Sequence, residues 1–173
     1  VTLCEAGRYS DEPGQSSAAS CTAVPAGHAS SPGSSEPTPC AAGTVAPDVG
    51  YVACEPCTAG RFQGGKGETG CEECTAGGFC PEGAVAPSLC EAGTYSGATG
   101  STEQAACLDC PAGSACAMGS TAPQPCAAGS VSGERAAAEC TPCGAGRFQS
   151  QTNSTACEEC SAGAFCPEGA VAP

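Results

Sequence analysis

Shifted by 86 residues, this sequence falls on itself without a gap, and the positions that coincide most completely are cysteines. Cys4 lands on Cys90, Cys21 on Cys107, Cys40 on Cys126, Cys54 on Cys140 and Cys57 on Cys143. Cys71, Cys74 and Cys80 land on Cys157, Cys160 and Cys166, and the nonapeptide 79–87 recurs unchanged at 165–173. Repetition of this kind marks an array of small units, none able to bury a core alone. The period predicts two copies, 1–87 and 88–173. It also predicts a window on a longer array, since Pro173 falls three residues before the next cysteine of the period.

A shorter unit lies inside the long one. Cys-x-Ala-Gly begins at Cys4, Cys40, Cys57, Cys74, Cys90, Cys110, Cys126, Cys143 and Cys160, with a tenth start at Val24. The steps are 20, 16, 17, 17 and 16 residues, after which the series restarts. Two positions past most of these glycines stands a larger apolar residue: Tyr9, Val45, Phe62, Phe79, Tyr95, Val131, Phe148 and Phe165, with Ala29 and Ala115 as exceptions. Each unit therefore reads as an opening cysteine, a tight glycine turn, one packing side chain, a polar loop and a closing cysteine. The lone aromatic is expected to cover its own unit's disulfide or the neighbouring unit. No window of about 11 residues has helical apolar periodicity, so short strands and irregular loops are predicted, with little helix.

Composition explains why the cysteines must be paired. The chain has 18 Cys, 25 Gly and 15 Pro in 173 residues, no Trp, and only 3 Tyr and 4 Phe. Without cross-links it could not bury enough apolar surface to offset its conformational entropy. The fold class predicted is thus a small disulfide-rich one, mostly β and irregular, built as an elongated tandem-repeat rod of disulfide-closed loops. That requires an oxidising, secreted or extracellular setting. The net charge of −13 repels nucleic acid and anionic lipid, and no basic patch interrupts it. No stretch approaches the roughly 18 apolar residues of a membrane span, so no membrane insertion is expected in this segment.

The pairing can be argued from an accident of sequence. Val24 and Ser30 occupy the places of Cys110 and Cys116, so two cysteines are missing together. Joint loss removes one bridge cleanly, which implies Cys110–Cys116 and, by repetition, Cys74–Cys80 and Cys160–Cys166. The remaining openers then pair with the next closers: Cys4–Cys21, Cys40–Cys54, Cys57–Cys71, Cys90–Cys107, Cys126–Cys140 and Cys143–Cys157. A crossed pattern within the Cys-x2-Cys clusters is the alternative. Short closures of this length contribute roughly 2–3 kcal/mol each in the chain-entropy picture. Sequential closure also predicts stacking with nearest-neighbour contacts only.

Chemistry finds little footing. Cys-x-x-Cys occurs at 54–57, 71–74, 107–110, 140–143 and 157–160, yet no βαβ context accompanies it and five regular copies exceed what a redox site needs. Zinc sites of four cysteines would use the same pairs, against the even count and the joint absence. His28 is the only histidine, and Glu72–Glu73 and Glu158–Glu159 read as solvated edges. No enzyme and no cofactor is expected. Asn153-Ser154-Thr155 is an N-glycosylation sequon on the only Asn of the chain. The Ser/Thr/Pro-rich stretch 30–39 reads as a flexible loop or a short O-glycosylated segment.

At 90–96 (C-x-A-G-T-Y-S), 107–113 (C-L-D-C-P-A-G) and the recurring C-x-x-C-x-A-G-x-F, the chain resembles ephrin-receptor-like cysteine-rich repeats, relatives of EGF-like and tumour-necrosis-factor-receptor modules. The resemblance spans the whole chain and implies an extracellular, all-β, disulfide-bonded, non-enzymatic protein. VPAGHAS at 24–30 departs from it by lacking one bridge, which marks that unit as looser or as a contact site. The Ala/Gly/Pro-rich loops are similar in style to mastigoneme glycoproteins, which form hair-like filaments on flagella. The expectation is a structural cell-surface glycoprotein that self-associates or joins other filament glycoproteins and glycans. The rival expectation is the ectodomain of a receptor or adhesin that binds a protein ligand.

Overall fold

The structure is a computed structural model that describes residues 2–173. Its strands are all two residues long and pair, antiparallel, into nine two-stranded sheets. Helix is confined to two single 3-10 turns, Ala18–Ser20 and Gln104–Ala106. The chain is thus a small disulfide-rich fold of repeated two-strand modules, as the composition demanded.

The Cys40 module shows how sequence makes each unit. Gly43 takes φ +84, a left-handed value that turns the chain sharply after the opener. Thr44–Val45 then runs out as a strand, and Glu55–Pro56 returns against it with Thr44 opposite Pro56 and Val45 opposite Glu55. The return strand is the pair of residues between Cys54 and Cys57. Proline at its second place has no N–H to give, which suits a strand with an unpaired edge.

Nine disulfides close the modules: Cys4–Cys21, Cys40–Cys54, Cys57–Cys71, Cys74–Cys80, Cys90–Cys107, Cys110–Cys116, Cys126–Cys140, Cys143–Cys157 and Cys160–Cys166. These are the pairs read from the joint absence at 24 and 30. Among the described residues no cysteine is free. The largest fully buried side chains are Val24 and nine half-cystines, so sulfur takes the place of a conventional core. Phe62 packs on Cys74, Cys80 and Ala84, covering the bridge of the following module.

The chain divides into two compact units, Val1–Cys74 with Cys80–Pro87, and Thr75–Phe79 with Ser88–Pro173. In the first, the Cys40 and Cys57 modules are joined by four backbone hydrogen bonds. Cys57 N donates to Gly43 O at 2.9 Å, Gly43 N to Gln63 O at 2.7 Å, Gly67 N to Cys40 O at 2.8 Å and Ala46 N to Glu68 O at 3.3 Å. The second unit repeats the set between the Cys126 and Cys143 modules. There Cys143 N donates to Gly129 O at 2.8 Å, Gly129 N to Gln149 O at 2.7 Å, Asn153 N to Cys126 O at 2.8 Å and Ser132 N to Ser154 O at 3.2 Å.

Contact does not stop at the neighbour, and here the expectation of nearest-neighbour stacking is corrected. A side chain on Gly43 would collide with the backbone carbonyl of Gly83, two modules ahead; Gly7 stands in the same relation to Gly50, and Gly27 to Gly67. In the second unit Gly129 faces Gly169 in this way, and Gly113 faces Asn153. The motif glycine is therefore required twice over, once for its φ and once for this close approach. Spacing within one module could not reveal the second demand, because the colliding carbonyl belongs to a turn some forty residues further on.

Candidate functional site

The five Cys-x-x-Cys segments are explained by the fold. Their intervening residues, Glu55–Pro56, Glu72–Glu73, Leu108–Asp109, Thr141–Pro142 and Glu158–Glu159, are the return strands of the hairpins. The flanking cysteines belong to two different bridges, so no segment holds the internal disulfide of a dithiol redox motif. The paired glutamates lie exposed on these strands, Glu72–Glu73 opposite Arg61–Phe62 and Glu158–Glu159 opposite Arg147–Phe148. Arg147 reaches Glu159 at 3.9 Å with both side chains exposed, a pair that adds little stability.

The position after the packing residue escaped the sequence reading. It holds Ser30, Ala46, Gln63, Cys80, Ser96, Cys116, Ser132, Gln149 and Cys166, all buried, and Ser10, half-buried, in the Cys4 module. Each carbonyl but that of Ser10 accepts from the motif glycine of the preceding module, and each N–H but those of Cys80 and Cys166 donates to the next module. Small or polar residues recur there at a fixed distance from each opener, and that column was the available signal. Gln63 is buried with both ends of its amide engaged: Nε2 donates to Gly70 O at 2.7 Å and Oε1 accepts from Gly65 N at 2.9 Å. Gln149 repeats this with Ala156 O at 2.8 Å and Gln151 N at 2.9 Å.

The module without a bridge is closed by other means. Val24 is 0% exposed where the second copy has Cys110, and Ser30, 3% exposed, donates its hydroxyl to Arg8 O at 3.0 Å. Over it lies the loop of the next module, through Gly50 N to Val24 O at 2.9 Å and Ser30 N to Tyr51 O at 3.2 Å. That loop exposes Val49 and Val52, at 67% and 59%, where the second copy has Arg135 and Ala138. The Tyr51 phenol is raised above its ordinary pKa, by desolvation first and then by the Glu55 and Asp48 carboxylates. His28, half-buried on the strand His28–Ala29, turns Nδ1 to Ala26 O at 3.2 Å.

Asn153 sits in an exposed turn at φ +57. The same place is glycine at 14, 33, 50, 67, 83, 100, 119 and 169, each with positive φ, and alanine at 136, φ +58. Ser114 donates its hydroxyl to Asn153 Oδ1 at 3.0 Å. Among the described residues, a surface hollow of about 510 Å³ beside Cys4 has Glu12 as its single charged lining residue. Among the described residues no group of three or more His, Cys, Asp or Glu is placed to hold a metal ion. No described helix is long and apolar enough to cross a membrane. In comparison with known proteins, no family model and no curated sequence matches this chain.

Proposed function

We propose that this chain is a structural segment of an extracellular repeat glycoprotein that builds or decorates a cell-surface filament. Its nine disulfides suit an extracellular or secreted protein. The observation that supports the filament reading is the regularity of the module interface. The same four backbone bonds join the Cys40 and Cys57 modules and, one period later, the Cys126 and Cys143 modules. A surface made this way recurs at fixed intervals, which suits lateral contact between like arrays or with partner glycoproteins. The charge of −13 opposes casual aggregation, so assembly requires matched contacts, glycans or screening cations. The ephrin-receptor-like and EGF-like module type, and a flagellar hair of the mastigoneme kind as the filament, are the finer form of this proposal.

The receptor or adhesin reading draws on one observation. Val49 and Val52 stand exposed beside the single bridge-free module, and the second copy has no such pair. Immunogold labelling of the native protein together with electron microscopy of its purified form tests the choice. Labelled filaments or hairs uphold the structural reading. A monomeric, membrane-anchored protein carrying a soluble ligand overturns it in favour of the receptor.

A further inference from the structure

We propose that Asn153 carries an N-linked glycan, held in place by a carboxamide whose oxygen the fold engages and whose nitrogen it leaves free. The inference rests on the secreted setting and is independent of the filament reading. Three observations converge on it. The residue is exposed and its Nδ2 has no hydrogen-bond partner among the described residues, whereas Oδ1 accepts the Ser114 hydroxyl at 3.0 Å. Its backbone is fixed as well, since Asn153 N donates to Cys126 O at 2.8 Å. Thr155, which completes the sequon, is exposed and its hydroxyl is likewise unpartnered.

The turn alone does not call for asparagine. Glycine meets a φ of +57 at less steric cost and fills eight of the other nine equivalent positions. Nor does packing call for threonine at 155. Threonine recurs at the equivalent places 69 and 121 without a sequon, and Val85 and Val171 hold the same place, each with a methyl group 3.3 Å from where a side chain on Gly43 or Gly129 would begin. The Ser114 bond uses the asparagine alone, whereas the modification requires Asn153 and Thr155 together, and of the two it is the asparagine that sets this turn apart from its counterpart at 67–69. In that step Nδ2 forms a bond to the anomeric carbon of a lipid-linked oligosaccharide pyrophosphate. The bond from that carbon to the pyrophosphate oxygen breaks, the pyrophosphate leaves, and Nδ2 gives up one of its two protons. The retained N–H and the unaltered Oδ1 then permit the Ser114 bond to form as the chain folds.

The test uses the whole chain secreted from a glycosylating eukaryotic host, with peptide mass spectrometry before and after an amidase that releases N-glycans. The expected result is a glycopeptide containing Asn153 that the amidase converts to aspartate at that position. N153G, which restores the residue present at 67, and T155V, which copies Val85, should both abolish the glycan while all nine disulfides persist. Secreted protein with nine intact bridges and bare Asn153 throughout would overturn the proposal.

Discussion

Ser114 gives its hydroxyl to Asn153 Oδ1 at 3.0 Å, joining residues 39 apart in sequence and two modules apart in the array. One period earlier the same two places hold His28 and Gly67, and the imidazole Cε1 comes within 3.8 Å of where a side chain on Gly67 would begin. The bulk has moved from one partner to the other while the seam between alternate modules stays filled. Two-module contact is thus a packed relationship with side-chain consequences, and it constrains which substitutions either copy accepts.

The seam makes a sharp prediction for glycine. Gly43 and Gly14 both have left-handed φ, +84 and +76, so alanine at either is strained by about 1–2 kcal/mol. At Gly14 nothing lies within 4 Å of the new methyl group, whereas at Gly43 it meets backbone of Gly83 and the Val85 Cγ1. Backbone cannot rotate away, and overpacking adds roughly 1–3 kcal/mol. G14A should therefore oxidise to nine bridges with a slightly lowered melting temperature. G43A should yield mispaired or incompletely oxidised protein on non-reducing peptide mapping. Equal behaviour of the two would remove the two-module seam from the account.

Ala136 offers the opposite experiment. It holds φ +58, in a turn where glycine is the usual occupant. Ala136→Gly relieves the strain, and the greater freedom of glycine in the unfolded chain offsets part of the gain. A net stabilisation of roughly 0.5–1 kcal/mol is expected, read as an upward shift in thermal unfolding with disulfides intact. A fall in stability would mean that the alanine methyl group packs usefully.

Gln63 tests the buried polar column. Gln63→Leu keeps the volume but strands Gly70 O and Gly65 N, which the amide satisfies at 2.7 and 2.9 Å. Gly70 is exposed and Gly65 half-buried, so water replaces part of what is lost; at about 0.5–1.5 kcal/mol for each bond removed the variant should still melt lower, and amide exchange should quicken at Gly65. Gln149→Leu should reproduce the effect at Gln151, since the second copy repeats the arrangement.

These cases mark how much of the fold was legible. Cysteine spacing and the joint absence at 24 and 30 yielded every bridge, because each closure is local and its loop is short. Short strands were expected, but not where they lie: five of the nine return strands fill the two residues of a Cys-x-x-Cys segment, and the other four have cysteine on one side only. What lay outside that reading depends on contact between modules: the buried column of Ser30, Gln63 and their equivalents, and the second turn column. Glycine repeats in that turn, but Ala136 and Asn153 interrupt it, and Asn153 read as a sequon hid Asn153 as a left-handed turn residue. Its partner Ser114 carried no signal, since one serine among many in a Gly/Ser-rich chain is chemically anonymous until folding brings it to the turn.

The bridge-free module allows the pairing logic to be run in reverse. Val24 and Ser30 stand where Cys110 and Cys116 are joined with Cα atoms 5.9 Å apart, inside the range a disulfide spans. Both positions are buried, so cysteines placed there are held near each other and away from solvent thiols. The double variant V24C/S30C should form a tenth bridge spontaneously during oxidative folding. Closure of so short a loop is worth about 2 kcal/mol in the chain-entropy picture, against about 1 kcal/mol for the lost Ser30 bond to Arg8 O. The net gain should appear as a higher melting temperature with no free thiol on titration. Either single variant, V24C or S30C, should instead leave one thiol and raise the fraction of mispaired species. If the double variant retained two free thiols after the other nine bridges had formed, the equivalence of the 24–30 and 110–116 modules would fail at its most testable point.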